Sequence, residues 1–248
     1  ARGWSSPLTV LRRASWRAHA TLLPLLHAAD PARPANTCVN LQVLWIKALA
    51  GARGDTNDLL SYRLLPKTSR WIISRPFCWF YPPWHHAAVA RRTAFVDLAL
   101  QDLIDAADTA GGGFRVVSVG AGFDTRALRI RSERCQTSWV EIDLPHVIDQ
   151  KQRMLQRLVQ RRHYQDLASR LPLVRRCDLN SREGCRAVRQ AASREHTDAV
   201  FVVEAVLMYL PEQSSRRVLR TLASVKGARV VFADRLPAGV DSREEAEV

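Results

Sequence analysis

Five short apolar runs, at residues 114–119, 137–142, 171–177, 199–203 and 228–232, alternate with stretches of helical length at 144–163, 182–192 and 211–225. Strands separated by helices are joined by crossovers, and crossovers give parallel pairing. The pattern therefore predicts an α/β chain with a parallel sheet and helices on both of its faces. A helix over 89–107, with Phe95, Leu98, Ala99, Leu103 and Ile104 at helical spacing, precedes the first strand and stops at Gly111-Gly112-Gly113. At 248 residues the chain suits one such core with an extension better than two full domains.

Upstream the composition changes. Residues 1–54 hold a single acid, Asp30, beside Arg2, Arg12, Arg13, Arg17, Arg33 and Arg53. Organelle transit peptides have that composition, and so does a helical N-terminal extension. The first residue is Ala1 rather than Met, so the true start is expected to lie upstream. From Asp55 onward acids and bases mix as in an ordinary folded domain. The expected division is an extension or targeting segment at 1–54, a helical cap over substrate and cofactor at 55–110, and the core at 111–248. The stretch 71–86, rich in aromatics and broken by Pro76, Pro82 and Pro83, cannot be one helix and is expected to form a folded loop that includes His85-His86.

Cys38, Cys78, Cys135, Cys177 and Cys185 are scattered and form no C-x-x-C pair, so neither a disulfide framework nor a metal site is expected. No apolar run approaches the roughly 20 residues of a membrane span, and a soluble monomer is expected. The formal net charge of +13 concentrates anions around any fold, so nucleic acid enters as a partner, though not the favoured one, because the arginines are spread through every segment. The expected location is the cytoplasm, or a mitochondrion or plastid if 1–54 is a transit peptide.

The first core strand runs into Gly120-Ala121-Gly122-Phe123-Asp124-Thr125, where glycines allow a tight turn and close backbone approach to a ligand. Thr125 replaces the third glycine of the dinucleotide fingerprint, which disfavours a nicotinamide enzyme. The second strand ends at Glu141-Ile142-Asp143, so Asp143 stands roughly 20 positions beyond the turn, where a carboxylate accepts hydrogen bonds from ribose hydroxyls. The third and fourth strands are followed by Asp178 and Glu204. In an open parallel sheet these three acids converge at the carboxyl ends of the strands; for any one of them a helix cap is the plainer reading. No phosphate-binding lysine motif is present, so a nucleoside cofactor without phosphates, such as S-adenosylmethionine, suits the acids best.

Four segments in order, Val119 with Gly120 through Arg126, Val140-Glu141-Ile142-Asp143-Leu144-Pro145, Cys177-Asp178-Leu179, and Glu204 through Pro211, make the chain resemble the leucine carboxyl methyltransferase family and its bacterial relatives over roughly residues 55–235. The resemblance implies a Rossmann-like methyltransferase core that binds S-adenosylmethionine. It implies that Gly120 and Gly122 lie against the cofactor, that Asp143 holds the ribose, that Asp178 and Leu179 border the adenine and that Glu204 lies by the methionine moiety. Thr56-Asn57-Asp58 with Arg63, and Arg92-Thr93, are similar to the family's N-terminal motifs, whose basic residues hold the cofactor carboxylate; Arg91 is the alternative to Arg92. Arg63 stands where the family usually has lysine. His85-His86-Ala87-Ala88 stands where the phosphatase enzymes have an Asn-Arg-Gly stretch.

The methyl acceptor is then an oxygen. A carboxylate acceptor is already ionised and needs no general base, in keeping with a sequence that offers no evident catalytic residue. The expected acceptor is a protein C-terminal leucine, as on the phosphatase 2A catalytic subunit, with a small molecule as the alternative. A tRNA-modifying relative and a non-catalytic binding module stand behind both. Such folds continue into a terminal antiparallel hairpin, so a chain that ends soon after its fifth strand is expected to be a fragment.

Overall fold

The described residues of this computed structural model are 35–72, 83–110, 113–132, 137–192 and 197–234. Five strands, β1 (Gly113–Val119), β2 (Thr137–Asp143), β3 (Leu173–Arg176), β4 (Thr197–Glu204) and β5 (Arg229–Ala233), make one sheet in the order β3-β2-β1-β4-β5. Every pairing is parallel, and β1 sits at the centre with Val117 opposite Val140 on one side and Phe201 on the other. This is the expected Rossmann-like core, with the order reversal between β1 and β4 that creates a crevice at the carboxyl edge.

Apolar side chains fill both faces because helices cover both. Val117, Val119, Val140, Ile142, Phe201 and Val203 pack in one cluster with Val188 of α7 (Arg182–Ala192) and Val218 and Leu222 of α8 (Glu212–Ala223). Phe114, Val116, Trp139, Val200 and Val202 point the other way, onto Val96, Leu100 and Ile104 of α4 (Pro83–Ala110). Each such side chain contributes about 1.5–3 kcal/mol, so the centre of the sheet is the most strongly held part of this unit. Helix α7 shows why: Cys185, Val188 and Ala192 are buried on one stripe, while Arg182, Arg186 and Arg189 are exposed on the other.

Compact packing divides the chain into two units, one made of the residues up to Ala94 with Phe123–Thr125, the other of Phe95–Gly122 with everything from Arg126 onward. In the first, α1 (Ala35–Arg53) packs on α2 (Leu59–Leu64), and α3 (Lys67–Ile72) follows. Helix α1 buries Leu44, Ala48, Leu49 and Ala50. Its Gly51 admits the chain so closely that a Cβ there would lie 2.4 Å from the Asp58 carbonyl oxygen. Among the described residues no helix is long and apolar enough to cross a membrane.

Three local expectations are corrected. Helix α4 starts at Pro83, not near residue 89, so His85-His86 lies on a helix and not in a loop. Proline is accommodated in a first helical turn, where its missing N–H has no partner to lose. The helix after β2, α6 (Pro145–Val159), ends before residue 163, because Arg161 is extended at φ −80, ψ 133 and a 3-10 segment, Arg162–Arg170, follows. Strand β3 is shorter than 171–177, since Leu171 at φ −61, ψ 132 closes that 3-10 segment instead of joining the sheet. Residues 73–82 of the aromatic stretch and 1–34 of the extension lie outside the described residues.

Candidate functional site

At the carboxyl end of β1 the chain turns through Gly120 (φ 69) and Gly122 (φ 49), both in the left-handed region that glycine adopts without strain. The N–H groups of Gly120 and Ala121 both donate to the Ile142 carbonyl, at 2.8 and 3.0 Å, which binds the turn to β2. A Cβ on Gly120 would lie 2.3 Å from Cγ2 of Val206, so this glycine serves the packing of β1's end against the turn after β4.

One residue further along β2, Asp143 receives the turn. The Gly122 N–H donates to its Oδ2 at 2.6 Å and the Leu144 N–H to its Oδ1 at 2.7 Å. Burial pushes the Asp143 carboxyl above its ordinary 3.8; the two backbone donors pull against that, as do the charges of Lys151 and His146. Lys151 reaches in from α6 and sits 2.7 Å from Oε2 of Glu141, both side chains 2% exposed. On β2 the side chains of Glu141 and Asp143 share one face, so the lysine lies within the field of both.

Past β3, Asp178 is exposed and forms a local turn, its Oδ1 accepting from the Asn180 N–H at 2.8 Å. Ser181, not Asp178, caps α7, its Oγ accepting from the Gly184 N–H at 2.9 Å. Leu179 is buried in the core cluster with Ile142 and Val188. Cys177 lies between Asp143 and Asp178 in sequence; burial, with the nearby carboxylates of Asp143, Glu183 and Asp178, pushes its thiol up to about 11, so it stays protonated and poorly nucleophilic near neutrality.

The end of β4 is built differently. Glu204 accepts from Nη1 of Arg126 at 2.5 Å, and Nε of the same guanidinium donates to Asp97 at 2.6 Å. Arg129, one turn along, adds two hydrogen bonds to Asp97 at 2.5 and 2.8 Å. Arg126 is fully buried, so two carboxylates hold its charge inside the protein. Ala205 follows in the left-handed region (φ 50), a conformation that a side chain disfavours. Asp234, just past β5, holds that turn: its Oδ2 accepts from the N–H groups of Val206 and Leu207, at 2.5 and 2.7 Å.

The profile of the family described as leucine carboxyl methyltransferase matches residues 47–223. The chain belongs to that family. A relative from Mycobacterium ulcerans (strain Agy99), named "Putative S-adenosyl-L-methionine-dependent methyltransferase", is 33% identical over 162 residues, which cover 64% of this chain and 45% of the relative. The chain thus matches less than half the length of that protein. Among solved structures, an O-methyltransferase family protein from Burkholderia thailandensis is similar at 19% identity and a TM-score of 0.34, over 57% of this chain and 38% of that one. A possible exported protein from Bordetella parapertussis is similar at 15% identity and a TM-score of 0.39, over 77% and 68%.

Six of the eight residues singled out from sequence, Gly120, Gly122, Asp143, Asp178, Leu179 and Glu204, are in the sheet unit, at or just beyond the carboxyl ends of β1 to β4. Arg63 and Arg92 belong to the N-terminal unit, on α2 and α4; Arg63 is exposed, with its guanidinium 5.7 Å from the Tyr62 ring centre. Within that same unit Asp58 is fully buried and caps α2 by accepting from the Ser61 N–H at 3.0 Å. Its Oδ1 also accepts from the Thr125 hydroxyl at 2.6 Å. Thr125 therefore stands in place of the third glycine because its hydroxyl has a buried partner.

Sequence reasoning did not single out Arg126, Asp97 or Asp234, the residues that hold Glu204 and the turn after β4 in place. Asp234 carried a usable signal, being one more acid just after a predicted strand. Arg126 carried almost none in so arginine-rich a chain, although Arg126 and Arg129 at i, i+3 form a pair that one acid can bridge.

Proposed function

We propose that the chain binds S-adenosylmethionine at the carboxyl edge of the sheet and transfers its methyl group to an oxygen. The observation that carries the reading is Asp143. Both carboxylate oxygens are fixed by backbone N–H groups, and each keeps acceptor capacity for a ribose hydroxyl. The acceptor groups fit a nucleoside: a fixed, buried carboxylate at β2 and an exposed one at Asp178, whose acceptor character suits an adenine amino group. The cofactor supplies an activated methyl on a sulfonium; the protein's share is binding, alignment and exclusion of water. Asp143 would hold the ribose, with Gly120 and Gly122 carrying the backbone past it. Following the resemblance, Arg63 and Arg92 are the proposed partners of the cofactor carboxylate, for which a guanidinium fork is well shaped.

For the acceptor, a carboxylate is the best-supported class, and a protein C-terminal leucine its leading member, as the family's description suggests. Neither Cys177, kept protonated, nor Glu204, paired with Arg126, is poised as a general base, and a carboxylate needs none. A small-molecule acceptor is the second reading, supported by His85-His86-Ala87-Ala88 where the phosphatase enzymes have Asn-Arg-Gly.

Calorimetric titration with S-adenosylmethionine tests the first step. Micromolar binding, abolished in Asp143→Ala with the fold intact by circular dichroism, is the expected result; equal affinity in the variant would sink the site. Transfer of labelled methyl to a peptide ending in leucine, and not to the same peptide without it, supports the protein acceptor. Labelling only of small carboxylic acids moves the assignment to the second reading.

A further inference from the structure

Among the described residues, helix α4 is packed along one face and exposed along the opposite one. On the packed side Val96, Leu100 and Ile104 meet the sheet, and Asp97 accepts from Arg126 and Arg129 of α5 (Arg126–Arg129). On the other side Ala88, Arg91, Phe95, Leu98, Asp102 and Asp105 are exposed, recurring at alternating steps of three and four residues. That is the spacing of a coiled-coil seam, so they form one narrow stripe. Phe95 is 54% exposed and Leu98 66%. One turn apart, they make a joint apolar patch and not the scattered single exposures of an ordinary surface.

The order of residues along this stripe is self-complementary. A second copy of the helix, reversed and laid across the first midway between residues 95 and 98, sets Phe95 opposite Leu98 of the second copy and Arg91 opposite its Asp102. The two-fold axis makes each contact twice. A parallel pairing would instead set arginine on arginine. All these positions lie on one helix, so their mutual placement follows from helix geometry. No acid stands one turn from Arg91 on this helix, and no base one turn from Asp102, so neither charge is answered there. Ala94 and Ala99, small and beside the apolar pair, leave room for a close approach.

We propose that α4 is the contact between two copies of this chain, paired antiparallel through Phe95 and Leu98, with Arg91 and Asp102 setting the register. The apolar layers exclude water at the centre, and the ion pairs at the rim decide direction more than strength. Two apolar layers make a small contact, in the class of transient interfaces below roughly 1,200 Å². The dimer is therefore weak and reversible, and it takes the place of the monomer expected from the sequence.

The test is sedimentation velocity of the 248-residue chain at concentrations from about 1 to 300 μM. The mass is expected to rise with concentration from that of one chain toward that of two. Phe95→Ser/Leu98→Ser should weaken association about tenfold or more, and so should Arg91→Glu, which sets two acids together, or Asp102→Arg, which sets two arginines together. Arg91→Glu/Asp102→Arg in one chain exchanges the charges and is expected to restore the parent's association. All four side chains are exposed, so the variants leave the core intact. The mass of one chain at every concentration overturns the proposal and leaves the face to another protein. Association unchanged in Phe95→Ser/Leu98→Ser overturns it too, since the contact then lies elsewhere. Single reversals that weaken association without rescue in the double variant overturn the antiparallel register.

Discussion

Strands β2 and β4 flank β1 and both end in an acid, yet the two carboxylates are held in opposite ways. Asp143 is fixed by neutral backbone donors, from Gly122 and Leu144, while Lys151, whose charge reaches it, is engaged with Glu141. Glu204 faces the buried guanidinium of Arg126 directly. Backbone N–H groups orient a carboxylate without cancelling its charge, and they leave acceptor positions open. An ion pair cancels the charge and ties the carboxylate to the fold. The β2 end therefore keeps a charged carboxylate with acceptor positions open, as the proposed cofactor site requires, whereas the β4 carboxylate is tied into the fold.

The sharpest way to break this contrast is Arg126→Met. Removing one partner of a buried ion network strands the others, and a loss of about 3–5 kcal/mol in urea unfolding is expected. Glu204→Gln should cost less, because the amide still accepts a hydrogen bond from the guanidinium. A variant at Arg126 as stable as the parent would mean that the β4 end is not structural after all.

Gly120→Ala comes next, since Gly120 joins the two ends. The added methyl meets Val206 Cγ2 at 2.3 Å on a backbone at φ 69, and strain with overpacking should cost about 1–3 kcal/mol. Val206→Ala in the same chain relieves the contact but not the backbone. The double variant is thus expected to recover part of the loss, and strict additivity in a double-mutant cycle would show that the contact is not the cause.

Much of this was legible in the sequence, and the part that was not has a common origin. The central strands could be read because a sheet covered on both faces selects continuous apolar runs, as in Val116-Val117 and Phe201-Val202-Val203. Edge strand β3 was misjudged because three of its four residues are exposed and carry no such signal. The start of α4 was misread because Pro83 acts as a breaker inside a helix and as an accepted first residue at its start, and sequence alone does not say which. Asp143, Asp178 and Glu204 were found together by a single rule, acids after strands, yet one is backbone-held, one forms a surface turn and one is ion-paired. Those differences depend on partners far along the chain: Arg126 lies 78 residues from Glu204, and Thr125 lies 67 from Asp58.

The smallest expected effect is the most direct reading of the β2 end. Burial makes the Asp143 carboxyl harder to ionise in the folded protein than in the unfolded chain, where it titrates near 3.8. Between that value and the raised one, the folded state keeps a proton that the unfolded state releases, so stability falls as pH rises through the window and stays lower above it. Asp143→Asn has no such proton. The difference in melting temperature, parent minus variant, should be most favourable to the parent below 3.8 and shrink toward neutrality. If the difference instead grows with pH, the donors from Gly122 and Leu144 outweigh burial and the carboxylate stabilises the fold in its charged form. Asp143 would then serve the structure as Glu204 does, and the contrast between the two strand ends would rest on ligand binding alone.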